Sequence, residues 1–207
     1  MKILIFTDSR GELPHGKPTW VNYVKQSWDD VTYVVDKERI RTIFQITESL
    51  KNNKQMYDMI IIQTAYSDFV AHWPLSILKK RFLQFDRNLN KHIEVSEGTG
   101  PRQLFRYKNY AGIEKELLKI KKHCKHLLFV GLHLSTSMNP YKVKKITVFA
   151  NNLIAQHVNS LLFPINISWT KTNCYDGIHY APGTHLMVGN YVNRYIKRLG
   201  KTISDYI

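Results

Sequence analysis

Apolar positions along the chain fall into short continuous runs, separated by longer stretches in which they recur at helical spacing. The runs are 2–7 (KILIFT), 31–35 (VTYVV), 58–63 (DMIIIQ), 127–132 (LLFVGL) and a weaker one at 163–168 (FPINIS). A short unbroken apolar run predicts a strand buried on both faces, as in a parallel sheet. The intervening stretches 19–28, 37–53, 75–90, 112–125, 142–160 and 184–199 predict helices. Thr19 is a suitable N-cap for the first, and Pro182 and Gly183 introduce the last. This alternation predicts an α/β fold, a three-layer sandwich with a central parallel sheet of about five strands. No repeat, low-complexity tract or linker interrupts it, so residues 1–207 read as a single domain. The segment 95–110 (VSEGTGPRQLFRYKNY) is the most loop-like stretch and is expected to be a surface excursion or a substrate loop.

Composition narrows the setting. Hydrophobic residues make up 43% and charged residues 22%, an ordinary globular balance. Cys124 and Cys174 stand far apart, with no Cys-x-x-Cys or Cys/His spacing, so neither a disulfide framework nor a metal centre is expected. No stretch approaches the ~20 apolar residues of a membrane-spanning helix, and the first apolar run meets charge at Asp8. The expectation is a cytoplasmic protein with no transmembrane segment. The net charge of +14 favours an anionic partner. The basic segments 115–125, 142–145 and 194–201 are expected to be solvated helix faces, and no specific nucleic-acid partner is expected from charge alone.

Two segments carry candidate chemistry. Ser9 follows the first predicted strand, in Thr7-Asp8-Ser9-Arg10-Gly11. In α/β sheets ligands bind beyond the carboxyl ends of strands, so topology alone favours this serine. The second segment is Asp176-Gly177-Ile178-His179, just before the last predicted helix. A serine hydroxyl needs a base within hydrogen-bond reach, and that base benefits from a carboxylate that orients its ring. His179 supplies the base and Asp176 the carboxylate.

Together these blocks resemble the SGNH (GDSL-type) hydrolase superfamily. Thr7-Asp8-Ser9 stands for its Gly-Asp-Ser block, with Thr in place of Gly. Asp176-Gly177-Ile178-His179 matches its Asp-x-x-His block, and Gly183-Thr184-His185 is similar to the Gly-x-His element at the start of its last helix. The resemblance spans nearly the whole chain and implies a flavodoxin-like SGNH fold with Ser9, Asp176 and His179 as the catalytic triad. The family's Gly-x-Asn-Asp block is altered. Alignment on Asp68 sets Ala65 on its Gly and Ser67 on its Asn, with Gln63 and Thr64 as alternative donors. The family's second-block Gly is replaced by Asp36-Lys37-Glu38-Arg39. The oxyanion site expected from this resemblance uses Ser9, Ala65 and Ser67. Arg10, Asp68, His72, Trp73 and Arg102 are candidate substrate contacts, whereas His133 is more in keeping with a structural role. No Walker or Gly-x-Gly-x-x-Gly motif is present, so no cofactor and no metal are expected.

The function these features imply is a serine esterase or deacylase acting through an acyl-enzyme on an O-acylated carbohydrate or similar polar ester, with the net charge favouring an anionic one. An O-acyltransferase using acetyl-CoA or another ester donor is the first alternative. A non-catalytic glycan-binding module on the same scaffold is the second.

Overall fold

A computed structural model of the protein describes residues 1–7, 18–28, 42–64, 66–69, 73–132, 140–161 and 179–204. Among them, four strands form a parallel sheet: β1 (Ile3–Thr7), β2 (Tyr57–Gln63), β5 (Cys124–Val130) and β6 (Asn159–Leu161), in the order β1-β2-β5-β6. Ile3 pairs with Met59 and Thr7 with Gln63, so β1 and β2 end level with each other. The predicted strands at 31–35 and 163–168 lie outside the described residues.

Because successive strand side chains point to opposite faces, the unbroken apolar runs supply two cores. Ile3, Ile5, Met59, Ile61, Leu128 and Val130 pack on one side, against α1 (Trp20–Ser27) and α7 (Pro182–Ser204). Leu4, Phe6, Ile60, Ile62, Leu127 and Phe129 pack on the other. There they meet α2 (Ile43–Leu50), the four-residue α3 (Tyr66–Phe69), α4 (Leu75–Phe82), α5 (Tyr110–Lys121) and α6 (Pro140–Ala155). This is the three-layer α/β sandwich read from the sequence.

Helix starts follow their capping residues. Thr42 Oγ1 accepts the Gln45 N–H of α2 at 3.2 Å, and Asn109 Oδ1 accepts the Gly112 N–H of α5 at 2.9 Å. In α1 the Thr19 N–H donates to Asn22 Oδ1 at 2.8 Å, half of a capping box.

Several boundaries differ from expectation; the helix expected at 75–90 ends at Phe82, and Leu89–Lys91 form a 3-10 turn. Residues 95–110 do not form a loop throughout: β3 (Ile93–Glu97) and β4 (Leu104–Tyr107) make an antiparallel hairpin. Its turn residues Gly98, Gly100 and Pro101 dominate the sequence signal and mask two short strands. Gly98 is required there, since its φ is 75° and a Cβ would meet Arg102 O at 2.4 Å. The helix expected at 142–160 stops at Ala155, and β6 follows after a turn at Gln156 and His157. Strand β5 begins three residues earlier than expected, because Cys124-Lys125-His126 pairs with β2 although only Cys124 is buried.

The base of the hairpin is held by a buried carboxylate. Asp86 accepts from Tyr107 Oη at 2.9 Å, Asn109 Nδ2 at 3.3 Å and the Asn88 N–H at 2.9 Å, and pairs with His92 Nδ1 at 2.6 Å. Burial alone would raise its pKa, but these partners outweigh it and hold the carboxyl below the usual value.

Helices α1 and α7 touch at Gly189, where a Cβ would lie 2.7 Å from Tyr23 Cβ and 3.2 Å from Trp20 O. Gly189→Ala is therefore expected to destabilise the protein by about 1–3 kcal/mol, despite the roughly 1 kcal/mol that alanine gains in helix propensity. Urea unfolding measures this, and an unchanged or higher midpoint contradicts it.

Candidate active site

Buried polar groups cost free energy unless they are paired, so where they gather is informative. Thr7, Gln63, Thr64 and Asp68 are all buried at or just beyond the carboxyl ends of β1 and β2. Thr184 and His185, in the first turn of α7, are buried as well. Beyond β5, Asn151 of α6 clamps the departing chain, accepting the Leu132 N–H at 2.8 Å and donating to Leu132 O at 2.9 Å.

The centre of this edge is Gln63, which is fully buried. Its Oε1 accepts from Thr7 Oγ1 at 2.9 Å and from the Trp20 indole Nε1 at 2.6 Å. An indole N–H can only donate, which fixes the orientation of the amide. Gln63 Nε2 then donates to Tyr180 Oη at 2.9 Å. Trp20 is the first residue of α1, and its otherwise orphan backbone N–H donates to His185 Nδ1 at 3.1 Å. One hydrogen-bonded cluster thus links β1, β2, α1, Tyr180 and α7.

His185 accepts through Nδ1, so its proton resides on Nε2, which is buried without a hydrogen-bond partner among the described residues. Burial first, and the neighbouring His179 second, push its pKa down to about 4 from an ordinary 6.5. His179 itself is half-buried and immediately precedes Tyr180.

The other sequence candidates divide as follows. Asp68 is fully buried, and its carboxylate accepts the Ile43 N–H at 3.1 and 3.2 Å, so it anchors the first turn of α2. Trp73 exchanges backbone hydrogen bonds with Phe105 of β4 at 2.8 and 2.9 Å. The Arg81 guanidinium lies over its ring, 4.0 Å from the centroid. Arg102 is exposed in a 3-10 turn, Gly100–Arg102, in the β3–β4 connection. Ser67 belongs to α3. Gln63, an alternative oxyanion donor by sequence, has its amide committed to the cluster. Ser9, Arg10, Ala65, His72, His133 and Asp176 lie outside the described residues. Trp20, Tyr180 and the tie of Thr7 to Gln63 were not singled out from the sequence. A single glutamine ending an otherwise apolar buried strand was the available signal. Among the described residues, no group of three His, Cys, Asp or Glu side chains is arranged to hold a metal ion, and no helix is long and apolar enough to cross a membrane.

No protein-family model and no curated protein sequence matches the chain. Solved structures do. Axe2, an acetylxylan esterase from Geobacillus stearothermophilus, is similar with a TM-score of 0.57 at 12% identity over 93% of this chain and 92% of its own. TesA is similar with a TM-score of 0.57 at 14% identity over 96% of this chain and 99% of its own. Both are SGNH hydrolases, and the fold of this chain is the SGNH hydrolase fold. In Axe2, catalytic mutants replace a serine, an aspartate and a histidine, the aspartate lying three residues before the histidine.

The depressed pKa of His185 makes stability depend on pH. The folded state keeps the imidazole neutral down to about pH 4, whereas the unfolded chain takes up the proton near pH 6.5. The stability this group contributes is therefore complete above about pH 6.5 and is lost as pH falls towards 4. The expected loss is at most about 3.5 kcal/mol, from about 1.4 kcal/mol per pKa unit. Urea unfolding at several pH values should show a slope over this range that is smaller in His185→Asn. An identical slope in that variant would count against the assignment.

Proposed function

We propose that the protein is a serine esterase of the SGNH type, with Ser9 as nucleophile, His179 as general base and Asp176 as the carboxylate that orients it. The observation that carries this is the Gln63 cluster. It ties the end of β1, two residues before Ser9, to Tyr180, the neighbour of His179. The SGNH fold supports the reading. So does Axe2, whose catalytic aspartate and histidine have the three-residue spacing of Asp176 and His179.

In this mechanism Ser9 Oγ attacks the ester carbonyl carbon while His179 takes the hydroxyl proton. The carbonyl oxygen becomes an oxyanion held by the Ser9 and Ala65 N–H groups and the Ser67 hydroxyl. Each such donor is worth about 3–4 kcal/mol in the transition state. The C–O bond to the leaving alcohol breaks, and His179 returns the proton to that oxygen. Water then attacks the acyl-enzyme, His179 removes its proton, and the carboxylic acid leaves as Ser9 recovers its hydrogen. Asp176 stays ionised and stabilises the imidazolium.

The substrate proposed is an O-acetylated carbohydrate or similar polar ester, the class named for Axe2. Arg10, beside the nucleophile, suits a carboxylate or phosphate on it. The net charge of +14 also favours an O-acyltransferase working with an anionic donor or acceptor, in which a sugar hydroxyl replaces water in the second step.

A fluorophosphonate probe and a chromogenic acetyl ester test the triad. Wild type should be labelled, Ser9→Ala should not, and ester turnover should fall at least about a thousandfold in Ser9→Ala or His179→Ala. Labelling that persists in Ser9→Ala rejects this nucleophile. Supplying acetyl-CoA with a sugar panel separates the two chemistries. Transfer well above hydrolysis selects the acyltransferase.

A further inference from the structure

The Gln63 cluster has a second consequence, which rests on the esterase reading above. A glutamine side chain offers one acceptor oxygen and two amide N–H donors. Gln63 uses the two ends in different directions. Its oxygen takes Thr7 Oγ1 at 2.9 Å and Trp20 Nε1 at 2.6 Å, and its nitrogen reaches Tyr180 Oη at 2.9 Å. Thr7 ends the strand that leads to Ser9, and Tyr180 follows His179 directly. Trp20 extends the same cluster to α7 through His185. Gln63, Trp20, Tyr180 and His185 are all fully buried. Water therefore does not reach these groups to replace a lost bond.

We infer that Gln63 is a positioning residue, whose amide sets the separation between the strand end leading to Ser9 and the segment carrying His179. Nucleophile and base come from opposite ends of the chain, and no covalent link holds them in register. A parallel ladder aligns β1 with β2, and Gln63, the last residue of β2, reaches on to Tyr180. An apolar side chain of the same length fills the space but cuts this link, so Thr7, Trp20 and Tyr180 are no longer held at one amide. A displacement of about 1 Å between reacting groups can cost about a hundredfold in rate.

Three variants separate positioning from simple stability. Gln63→Met removes all three bonds at constant length. Tyr180→Phe removes only the bond towards the His179 segment. Ile120→Val, in the core beneath α5, is a control that lowers stability away from the cluster. In acetyl-ester kinetics, kcat should fall about 10- to 100-fold in Gln63→Met and about tenfold in Tyr180→Phe. KM should change little, and the rate of fluorophosphonate labelling should fall in parallel. The double variant should be no slower than Gln63→Met, since both cut the same link. Ile120→Val should keep the wild-type kcat. Wild-type kcat in folded Gln63→Met and Tyr180→Phe, with only a lower urea midpoint, overturns the inference and leaves the esterase reading intact. If Gln63→Met does not fold, Tyr180→Phe decides alone. A wild type with neither labelling nor turnover overturns the esterase reading and this inference together.

Discussion

Apart from the Thr7 side chain at its end, the part of the sheet formed by β1 and β2 buries one strongly polar side chain, that of Gln63, and the arrangement of the site depends on it. A buried amide with no partner costs about 1–3 kcal/mol, so β2 can end on glutamine only where partners converge. Here they come from four places in the chain: β1, α1, the residue after His179 and, through Trp20, α7. The requirement is mutual. Trp20, Tyr180 and Thr7 each bury a polar atom that pairs with Gln63. Each partner also contributes apolar surface or a strand end, which couples the polar cluster to the packing around it.

The two cores explain why the cluster sits where it does. Alternation along β1, β2 and β5 sends every second apolar side chain to the α1–α7 layer and the rest to the layer of α2, α5 and α6. At the carboxyl ends of the strands this apolar supply stops, and the chain turns to polar residues. Asp68 anchors α2 there, and Asn151 clamps the backbone after β5. The starts of α1 and α2 at this edge are held by side chains from other elements. The hairpin β3–β4 is held separately, by Asp86 and its partners.

The SGNH fold gives these details a common sense. Axe2 and TesA share the fold with this chain at 12% and 14% identity, so the arrangement of elements persists where little sequence does. What the comparison shows is the shared backbone path. The Gln63 cluster is built from this chain's own side chains.

Much of the fold was legible in the sequence. Unbroken runs such as Met59–Ile62 read as strands covered on both faces, and Thr19 stands where a helix begins, whereas the caps Thr42 and Asn109 were not read from the pattern. The blocks around Ser9 and His179 pointed to a triad because a serine nucleophile requires a base and a carboxylate; Ser9 and Asp176 lie outside the described residues. The β3–β4 hairpin was hidden, since glycine and proline signal a turn without saying what flanks it. The roles of Gln63, Asp68 and His185 were hidden for a deeper reason. Local pattern reports whether a residue is polar, but a buried polar residue acts through partners far away in sequence. Trp20 and His185 are 165 positions apart, and Gln63 and Tyr180 are 117. Hydrophobic periodicity determined the layers; only the tertiary structure decided which polar groups meet at their edge, because long-range hydrogen bonds leave no periodic trace in the chain.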